Sequence, residues 1–186
     1  MITETPRLII RNWQESDAAL FHHINSDAAV MEFFAIRRDR GQSDELMRRL
    51  AGDISETGYG FFALQTKVDG QPIGFTGLSM VDLQPHFPAG TVEIGWRLGA
   101  DHWGRGYATE AAQALLRLGF EARGLDEIVA FAVPENRRSI AVMERLGMCR
   151  DPGRDFDHPR VPDSHPHLQR HVLYALRSEA WRQRAG

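Results

Sequence analysis

The feature that most constrains the fold of this chain is a strand, a glycine-containing loop, a helix and a second strand, which follow one another in the middle of the sequence. Thr91 to Leu98 alternates apolar and polar side chains, as a strand with two different faces does. Apolar side chains at helical spacing follow Gly106, and Ile128 to Val133 is an almost continuous apolar run. Such a run is expected of a strand that is covered on both faces. The segment therefore predicts one β-helix-β unit.

The rest of the sequence predicts an α+β (mixed α/β) protein whose sheet is mostly antiparallel. Apolar runs predict further strands at residues 7–11, 61–64, 73–81 and 171–176. Asp69-Gly70 predicts a hairpin turn between two of these strands, and Ser43 is a candidate N-cap. Caps and apolar spacing predict further helices at residues 17–25, 43–54 and 137–146.

Composition and charge exclude several classes of protein. The chain has 186 residues, and its 22 Lys or Arg against 25 Asp or Glu give a formal net charge of −3. Without a basic cluster, this balance argues against nucleic-acid binding, and no apolar run is long enough to cross a membrane. The N-terminus lacks the pattern of a secretion signal, and the one cysteine, Cys149, cannot form an intramolecular disulfide. We therefore expect one cytoplasmic domain spanning residues 1–186, with Cys149 buried and with neither nucleic acid nor membrane as a partner.

The stretch that carries chemistry is Trp103-Gly104-Arg105-Gly106-Tyr107-Ala108-Thr109-Glu110. Two glycines at alternate positions before a helix let successive backbone N–H groups point to one place, where the helix dipole favours an anion such as phosphate. The simpler interpretation is a tight loop. A P-loop is excluded because Gly-Lys-Ser/Thr is absent, and a dinucleotide fingerprint is excluded because Thr109 stands where its third glycine belongs.

Several motifs surround this loop in order, namely Glu93-Ile94-Gly95-Trp96-Arg97-Leu98, Pro134-Glu135-Asn136-Arg137-Arg138-Ser139 and Arg145-Leu146-Gly147-Met148. Together with the opening Thr5-Pro6-Arg7-Leu8-Ile9-Ile10-Arg11, they make nearly the whole chain resemble the GNAT N-acetyltransferases, specifically the RimJ/RimL-like branch. The resemblance implies a central, twisted, mostly antiparallel sheet flanked by helices. It also implies that the family's fourth and fifth strands, here at 91–98 and 128–133, splay apart.

The resemblance implies acetyl-CoA as the co-substrate and no metal. The family's pyrophosphate loop corresponds to Trp103, Gly104, Arg105, Gly106, Tyr107 and Ala108, and Thr109 is the next expected contact. Trp103 departs from the family's usual Arg or Gln, a change that leaves the backbone contacts intact. The strand residues expected to pair with the pantetheine amides are Trp96, Arg97 and Leu98. Asn136 and Ser139 are also expected to contact the cofactor.

The resemblance also implies the catalytic residues. Glu93 takes the position of the family's general base, and it is a weak base unless burial raises its pKa above the ordinary value of about 4.3. The alternative is an exposed carboxylate on an open sheet face. Many members protonate the leaving thiolate with a tyrosine whose place looks like Met143 here, so Ser139 becomes the candidate donor. The alternative role of Ser139 is that of a polar residue in the first turn of a helix.

The implied activity is transfer of an acetyl group to a primary amine, by direct attack of the amine on the thioester. A protein N-terminus and a small-molecule amine are both open as acceptors, and a homodimer is an assembly often found in the family. The alternative function is a catalytically inactive acyl-CoA-binding or sensing module. His158 and the loop 82–90 are expected to rim the acceptor pocket. No zinc pattern fits the spacing of the histidines at 158, 165, 167 and 171.

Overall fold

The computed structural model of the chain describes residues 1–185. Its strands are β1 (Thr3–Glu4), β2 (Leu8–Arg11), β3 (Gly60–Thr66), β4 (Pro72–Met80), β5 (Val92–Leu98), β6 (Glu127–Ala132), β7 (Cys149–Arg150), β8 (Phe156–Asp157) and β9 (Arg170–Arg177). Its α-helices are α1 (Ala18–Ser26), α2 (Arg40–Thr57), α3 (Tyr107–Arg117), α4 (Arg137–Arg145) and α5 (Ser178–Ala185). No helix within residues 1–185 combines the length and the hydropathy that a bilayer crossing needs.

Eight strands follow one another in the spatial order β1-β2-β3-β4-β5-β6-β9-β7, and β8 pairs with β9. All of these pairs are antiparallel except β5 with β6, which run parallel and are connected through α3. The β-helix-β unit, the mixed α/β class and the mostly antiparallel sheet are therefore confirmed.

Strands β5 and β6 diverge along their length. Their ladder consists of one pair, Glu93 with Val129, although β5 is paired along its whole length with β4 and β6 along its whole length with β9. The N–H of Gly99 bonds to β4 at 3.0 Å, and backbone direction alternates along a strand, so the backbone groups of Trp96 and Leu98 point toward β6. Within residues 1–185 no strand pairs with those two residues on that side. The expected splay of these two strands is present.

Different helices cover the two faces of the sheet. On one face α3 buries Ala111, Ala112, Leu115 and Leu116. On the other face Phe75 of β4 stacks on Phe21 of α1, with ring centroids 6.3 Å apart. Arg97 is the Cα partner of Phe75, and side chains alternate along a strand. The α1 face of β5 therefore carries Glu93, Gly95 and Arg97.

A second apolar cluster covers β6 and β9 next to this part of the sheet. Its buried members are Val81, Leu83, Phe87, Val129, Phe156 and Leu173. Three of them belong to the segment after β4 and one to β8, so these loops pack onto the strand that pairs with Glu93.

Two local expectations are wrong. Asp39 rather than Ser43 caps α2, because its carboxylate accepts the backbone N–H of Gln42 at 2.9 Å and the Gln42 side chain accepts the N–H of Asp39. This reciprocal pair satisfies two donors at the helix start, whereas Ser43 lies buried inside the helix. Cys149 is exposed in the two-residue strand β7, although we expected it to be buried.

Candidate active site

The loop before α3 presents a row of free backbone donors. Gly104 and Gly106 have φ angles of +72° and +79°, which glycine adopts without strain. The first intrahelical bond of α3 runs from the N–H of Glu110 to the carbonyl of Gly106. Within residues 1–185, the six successive N–H groups from Gly104 to Thr109 donate no hydrogen bond. Free donors at a helix N-terminus attract anions, so the loop can bind a group such as phosphate.

Arg7 ties this loop to the N-terminal segment. Its Nη1 donates to the carbonyl of Arg105 at 2.9 Å, and its Nε donates to the Glu110 carboxylate at 2.6 Å. The guanidinium carbon lies 4.7 Å from the centre of the Tyr107 ring. Sequence analysis missed this role: the motif around Arg7 gave a family resemblance, but no local pattern shows which distant residues an arginine contacts.

The Trp103 side chain is bound to the end of β5. Its indole Nε1–H donates to the carbonyl of Leu98 at 2.9 Å. The guanidinium of Arg138, on α4, stacks 4.3 Å from the centre of the indole and pairs with Glu32 at 2.9 Å. The only polar atom of the indole is thus used within the chain, so the indole adds no donor to the backbone N–H groups that this loop leaves free.

The open edge of β5 offers further backbone groups. Toward β6, Trp96 presents its N–H and carbonyl, and Leu98 presents its N–H because its carbonyl is bound by Trp103. Arg97 differs from these two residues: its backbone faces β4, where it pairs with Phe75, and its side chain lies on the α1 face. The edge can pair with an extended ligand through alternate residues, as sheet edges pair with peptides.

Glu93 lies where β5 and β6 separate. It pairs with Ser79 of β4 and with Val129 of β6, so both neighbouring strands fix its position. Burial raises the pKa of Glu93 to about 7, and the positive charge of Arg160 acts in the opposite direction. A carboxyl group with this pKa exchanges protons near neutral pH, which its ordinary value does not allow. The Glu93 residue is half-buried in the sheet, which is the cause of the raised pKa.

Asn136 and Ser139 lie together at the start of α4. The Asn136 side-chain oxygen accepts the backbone N–H of Ser139 at 3.1 Å and so caps the helix. The Asn136 amide group remains free to donate, and the Ser139 hydroxyl makes no hydrogen bond within the described chain. Met143, one turn later, is buried and carries no acidic proton. Ser139 is thus a hydroxyl donor available near the start of α4.

His158 belongs to a group of rings on the α1 side of β6 and β9. Its ring centroid lies 5.0 Å from that of His171 and 6.3 Å from that of Phe131, which in turn contacts Phe87 of the loop 82–90 at 5.6 Å. Burial lowers the pKa of His158 to about 4, with the charges of His171 and Arg160 acting in the same direction. His158 is therefore neutral at pH 7. Nowhere in residues 1–185 do three His, Cys, Asp or Glu side chains meet in a group that could hold a metal ion.

Comparison with known proteins agrees with this geometry. Residues 7–149 match the profile described as Acetyltransferase (GNAT) domain. The uncharacterized N-acetyltransferase p20 of Bacillus licheniformis is 33% identical over 155 residues, covering 79% of this chain and 84% of the relative. The crystal structure of a GNAT-family acetyltransferase from Bacillus anthracis superposes with a TM-score of 0.78 at 26% identity, covering 95% of this chain and 98% of that one.

A third similar protein is an aminoglycoside acetyltransferase whose crystal structure contains coenzyme A. It superposes with a TM-score of 0.74 at 18% identity, covering 96% of this chain and 99% of that one, so the likeness shows a common fold. The matched profile spans the loop 103–109, the open edge of β5 and the start of α4. The chain is an acyltransferase and belongs to the GNAT family of acetyltransferases.

Proposed function

We propose that the protein transfers an acetyl group from acetyl-CoA to a primary amine. The observation that carries the proposal is the position of Glu93, whose pKa is raised to about 7 at the point where β5 and β6 separate. A thioester that enters this gap from the side of the loop 103–109 can meet an amine on the α1 face, next to the carboxyl group. The reaction needs such a meeting of thioester, amine and base.

The residues around the gap fit acetyl-CoA, which supplies an activated acyl thioester when bound. We assign its pyrophosphate to the six free N–H groups from Gly104 to Thr109, because consecutive donors at a helix N-terminus suit phosphate oxygens. We assign its pantetheine amides to the Trp96 carbonyl and the Leu98 N–H at the open edge, which leaves the Trp96 N–H free. The free amide group of Asn136 is the further donor on the α4 side.

The reaction we propose has one bond-forming event. The amine nitrogen bonds to the thioester carbonyl carbon, the C–S bond breaks, and one amine proton passes to the Glu93 carboxylate, directly or through water. With a pKa of about 7, Glu93 is a far better proton acceptor at neutral pH than an exposed glutamate. The attacking lone pair must come from the neutral amine, so the base matters most for amines of high pKa.

Two further groups stabilise the negative charge that develops during the reaction. We assign to the Trp96 N–H, at the open edge, the hydrogen bond to the carbonyl oxygen that becomes negative. We assign to the Ser139 hydroxyl the hydrogen bond to the leaving thiolate, because no partner in the described chain occupies it. A serine hydroxyl is a weak acid, so its role here is to stabilise the thiolate, and solvent delivers the final proton.

The finer assignments also belong to this proposal. We place the protein in the RimJ/RimL-like branch of the family, on the motifs around residues 5–11 and 93–98, and in a reducing compartment such as the cytoplasm, since an exposed thiol at Cys149 suits one. The acceptor is a small-molecule amine or a protein N-terminus. The competing function is an acyl-CoA-binding module without turnover, favoured by the absence of a tyrosine at Met143.

The test is release of free CoA thiol from acetyl-CoA in the presence of a panel of primary amines and N-terminal peptides, with calorimetry of CoA binding. The informative variant is Gly106→Glu, which places a carboxylate among the anion-binding donors. Gly124→Glu is the matched control, because Gly124 is likewise exposed at positive φ. An added Cβ meets no atom within 4 Å at Gly124, and at Gly106 it meets the end of the Arg7 side chain at 3.4 Å. Both variants add one charge and comparable backbone strain.

We expect wild type and Gly124→Glu to bind CoA and to acetylate at least one amine, and Gly106→Glu to do neither. Binding of CoA without turnover of any amine would favour the inactive module. Equal loss of CoA binding in both variants, or no binding by wild type, would contradict the assignment of the loop to pyrophosphate.

A further inference from the structure

We propose that the acceptor amine also carries a carboxylate, and that Arg97 binds this carboxylate. The inference rests on the proposed transferase function and narrows its acceptor to amino acids and related small amino-carboxylates. It starts from a cation that the fold leaves without a counter-ion. This cation lies on the same face of β5 as Glu93.

The guanidinium of Arg97 is held in one position. Its Nη1 donates to the side-chain oxygen of Asn25, on α1, at 2.7 Å. Asn25 is fully buried and its own amide donates to the carbonyl of Phe21, so its oxygen is fixed toward Arg97. The guanidinium carbon lies 4.0 Å from the centre of the Phe34 ring and 5.2 Å from that of Phe75. The rings and the amide together pre-organise the cation.

No carboxylate neutralises this cation. Among residues 1–185, no Asp or Glu oxygen lies within 4.0 Å of Arg97, and its Nε is shielded from solvent without a hydrogen-bond partner. Burial lowers the pKa of Arg97 to about 9, and the charge of Arg38 acts in the same direction. Arg38 is also without an ion pair in the described chain, and its backbone N–H donates to the carbonyl of Asn25. A desolvated cation beside a second cation is unfavourable until an anion joins them.

The shape of the site points to a carboxylate on the acceptor rather than to a phosphate of the cofactor. A guanidinium presents two N–H groups side by side, which match the two oxygens of a carboxylate. The phosphate donors of the loop 103–109 belong to the start of α3, which packs on the opposite face of the sheet. Arg97 is therefore placed for the second substrate.

Glu93 and Arg97 mark the two ends of a strip along β5. Their Cα atoms are four residues, about 13 Å, apart on the strand. Gly95 lies between them without a side chain, and the Phe61 ring fills the space that a side chain there would take, 2.8 Å from where its Cβ would be. The surface between the two charged residues is therefore apolar. Phe34 is 45% exposed beside the cation, an apolar rim typical of a binding site. An acceptor lying along this strip directs its amine to Glu93 and its carboxylate to Arg97.

The experiment uses pairs of amines that differ only in carboxylate against carboxamide: glycine and glycinamide, β-alanine and β-alaninamide, γ-aminobutyrate and its amide. Values of kcat/KM, expressed per concentration of neutral amine because the carboxamide lowers the pKa of the amine, are compared between wild type and Arg97→Met, which keeps a long side chain between the two rings. For at least one pair we expect wild type to prefer the carboxylate by about 10- to 100-fold, the size of a charge-assisted hydrogen-bonded pair. Arg97→Met should reduce that preference to about threefold or less, mainly through KM.

A second variant covers the case in which Arg97→Met does not fold. Asn25→Asp sets an internal carboxylate against the guanidinium, so it should also abolish the preference for carboxylates. A readout without turnover is thermal unfolding in the presence of CoA: the preferred carboxylate should raise the Tm of wild type and not that of either variant. A wild type that treats both members of every pair alike, with no Tm shift, would overturn the inference. An equal loss of kcat/KM for the carboxylate and for the carboxamide in Arg97→Met would likewise overturn it, because the loss of a purely structural arginine affects both substrates alike.

The proposed function and this inference fail in different ways. Acetylation of carboxamides alone, with normal CoA binding, would support the transferase function and contradict the binding of a carboxylate by Arg97. If a carboxylate raises the Tm of wild type but not of Arg97→Met while no amine is ever acetylated, carboxylate binding by Arg97 is supported and the transferase function is contradicted.

Discussion

Glu93 is joined to Val129 by the one pair that connects β5 to β6. On its other side Glu93 pairs with Ser79, so the backbone that carries the carboxyl group is fixed by strands on both edges. The residues that follow Glu93 on β5 have no paired strand on the β6 side within residues 1–185. The backbone of Glu93 is thus fixed at the point where the gap between β5 and β6 begins, next to any ligand that enters the gap.

The first prediction concerns the rate. Glu93→Gln should lower kcat/KM by about 100-fold for an amine with a pKa near 10.4, and by less than about tenfold for an α-amine with a pKa near 8. The reason is that a lysine-like amine must lose a proton at a cost of about 4–5 kcal/mol at pH 7, whereas an α-amine is already partly neutral. The measurement is the pH dependence of kcat/KM with one acceptor of each kind.

In wild type the profile should contain a limb that rises through pH 7 as Glu93 ionises, in addition to the limb of the amine. The variant should retain only the amine limb. A rising limb near pH 7 that persists in Glu93→Gln would assign the base to another group.

The second prediction concerns stability. The Glu93 carboxyl has a pKa of about 7 in the folded chain against an ordinary value of 4.5, so between these values the folded state binds more protons than the unfolded state. Stability is therefore lost as pH rises through this window: nothing is lost below about pH 4.5, and at most about 3 kcal/mol is lost above pH 7. Glu93→Gln removes this penalty.

Urea unfolding should show that the free energy of unfolding of Glu93→Gln, relative to that of wild type, rises by about 2–3 kcal/mol between about pH 5 and about pH 8.5. The control is Glu56→Gln, an exposed carboxyl on α2. A gain that does not change with pH would mean that the Glu93 carboxyl keeps its ordinary pKa in the folded protein.

The third prediction concerns the contacts of Arg7 with the loop 103–109. Arg7→Met removes the hydrogen bond to the Arg105 carbonyl and the ion pair with Glu110. We expect the Kd for CoA to rise about tenfold, because the loop must then be ordered by the ligand itself. Arg117→Met, which removes an exposed ion pair at the far end of α3, should leave the Kd within about twofold. Equal Kd values for the two variants would show that Arg7 does not order the loop.

The central unit of the fold could be predicted from sequence because its patterns are local. The alternation along 91–98 and the apolar run at 128–133 each depend on which faces of one strand are covered, and β5 and β6 carry these patterns. The turn at Asp69-Gly70 is equally local, and Gly70 has the φ of +69° that such a turn requires.

The features that could not be predicted depend on partners far away in the sequence. Strands β1, β7 and β8 have two residues each, too few to show a period. Each forms because it pairs with a longer strand. Trp103 bonds to the end of β5 and Arg97 to α1, and neither partner is visible in the motif that carries these residues. The position of Glu93 could be predicted from the resemblance, but its raised pKa depends on burial that only the assembled sheet creates.

The fourth prediction concerns a buried ion pair that holds the start of α1 to β2. Arg11 donates through Nη1 and Nη2 to the two carboxylate oxygens of Asp17 at 2.6 and 2.9 Å, and both residues are buried. Asp17→Ala leaves the guanidinium desolvated and unpaired, so the free energy of unfolding should fall by about 3–5 kcal/mol. Asp44→Ala breaks the exposed pair with Arg40 and should cost less than about 1 kcal/mol.

The double variant Arg11→Met/Asp17→Leu separates the cost of an unpaired charge from the worth of the pair. Because two apolar side chains leave no buried charge, it should be more stable than Asp17→Ala, although it lacks the ion pair altogether. Urea unfolding of the three proteins at neutral pH measures the difference. The opposite result is a double variant less stable than Asp17→Ala. It would mean that the other hydrogen bonds of Arg11, to Gln65 and to the carbonyl of Asn12, stabilise the fold by more than the unpaired charge destabilises it.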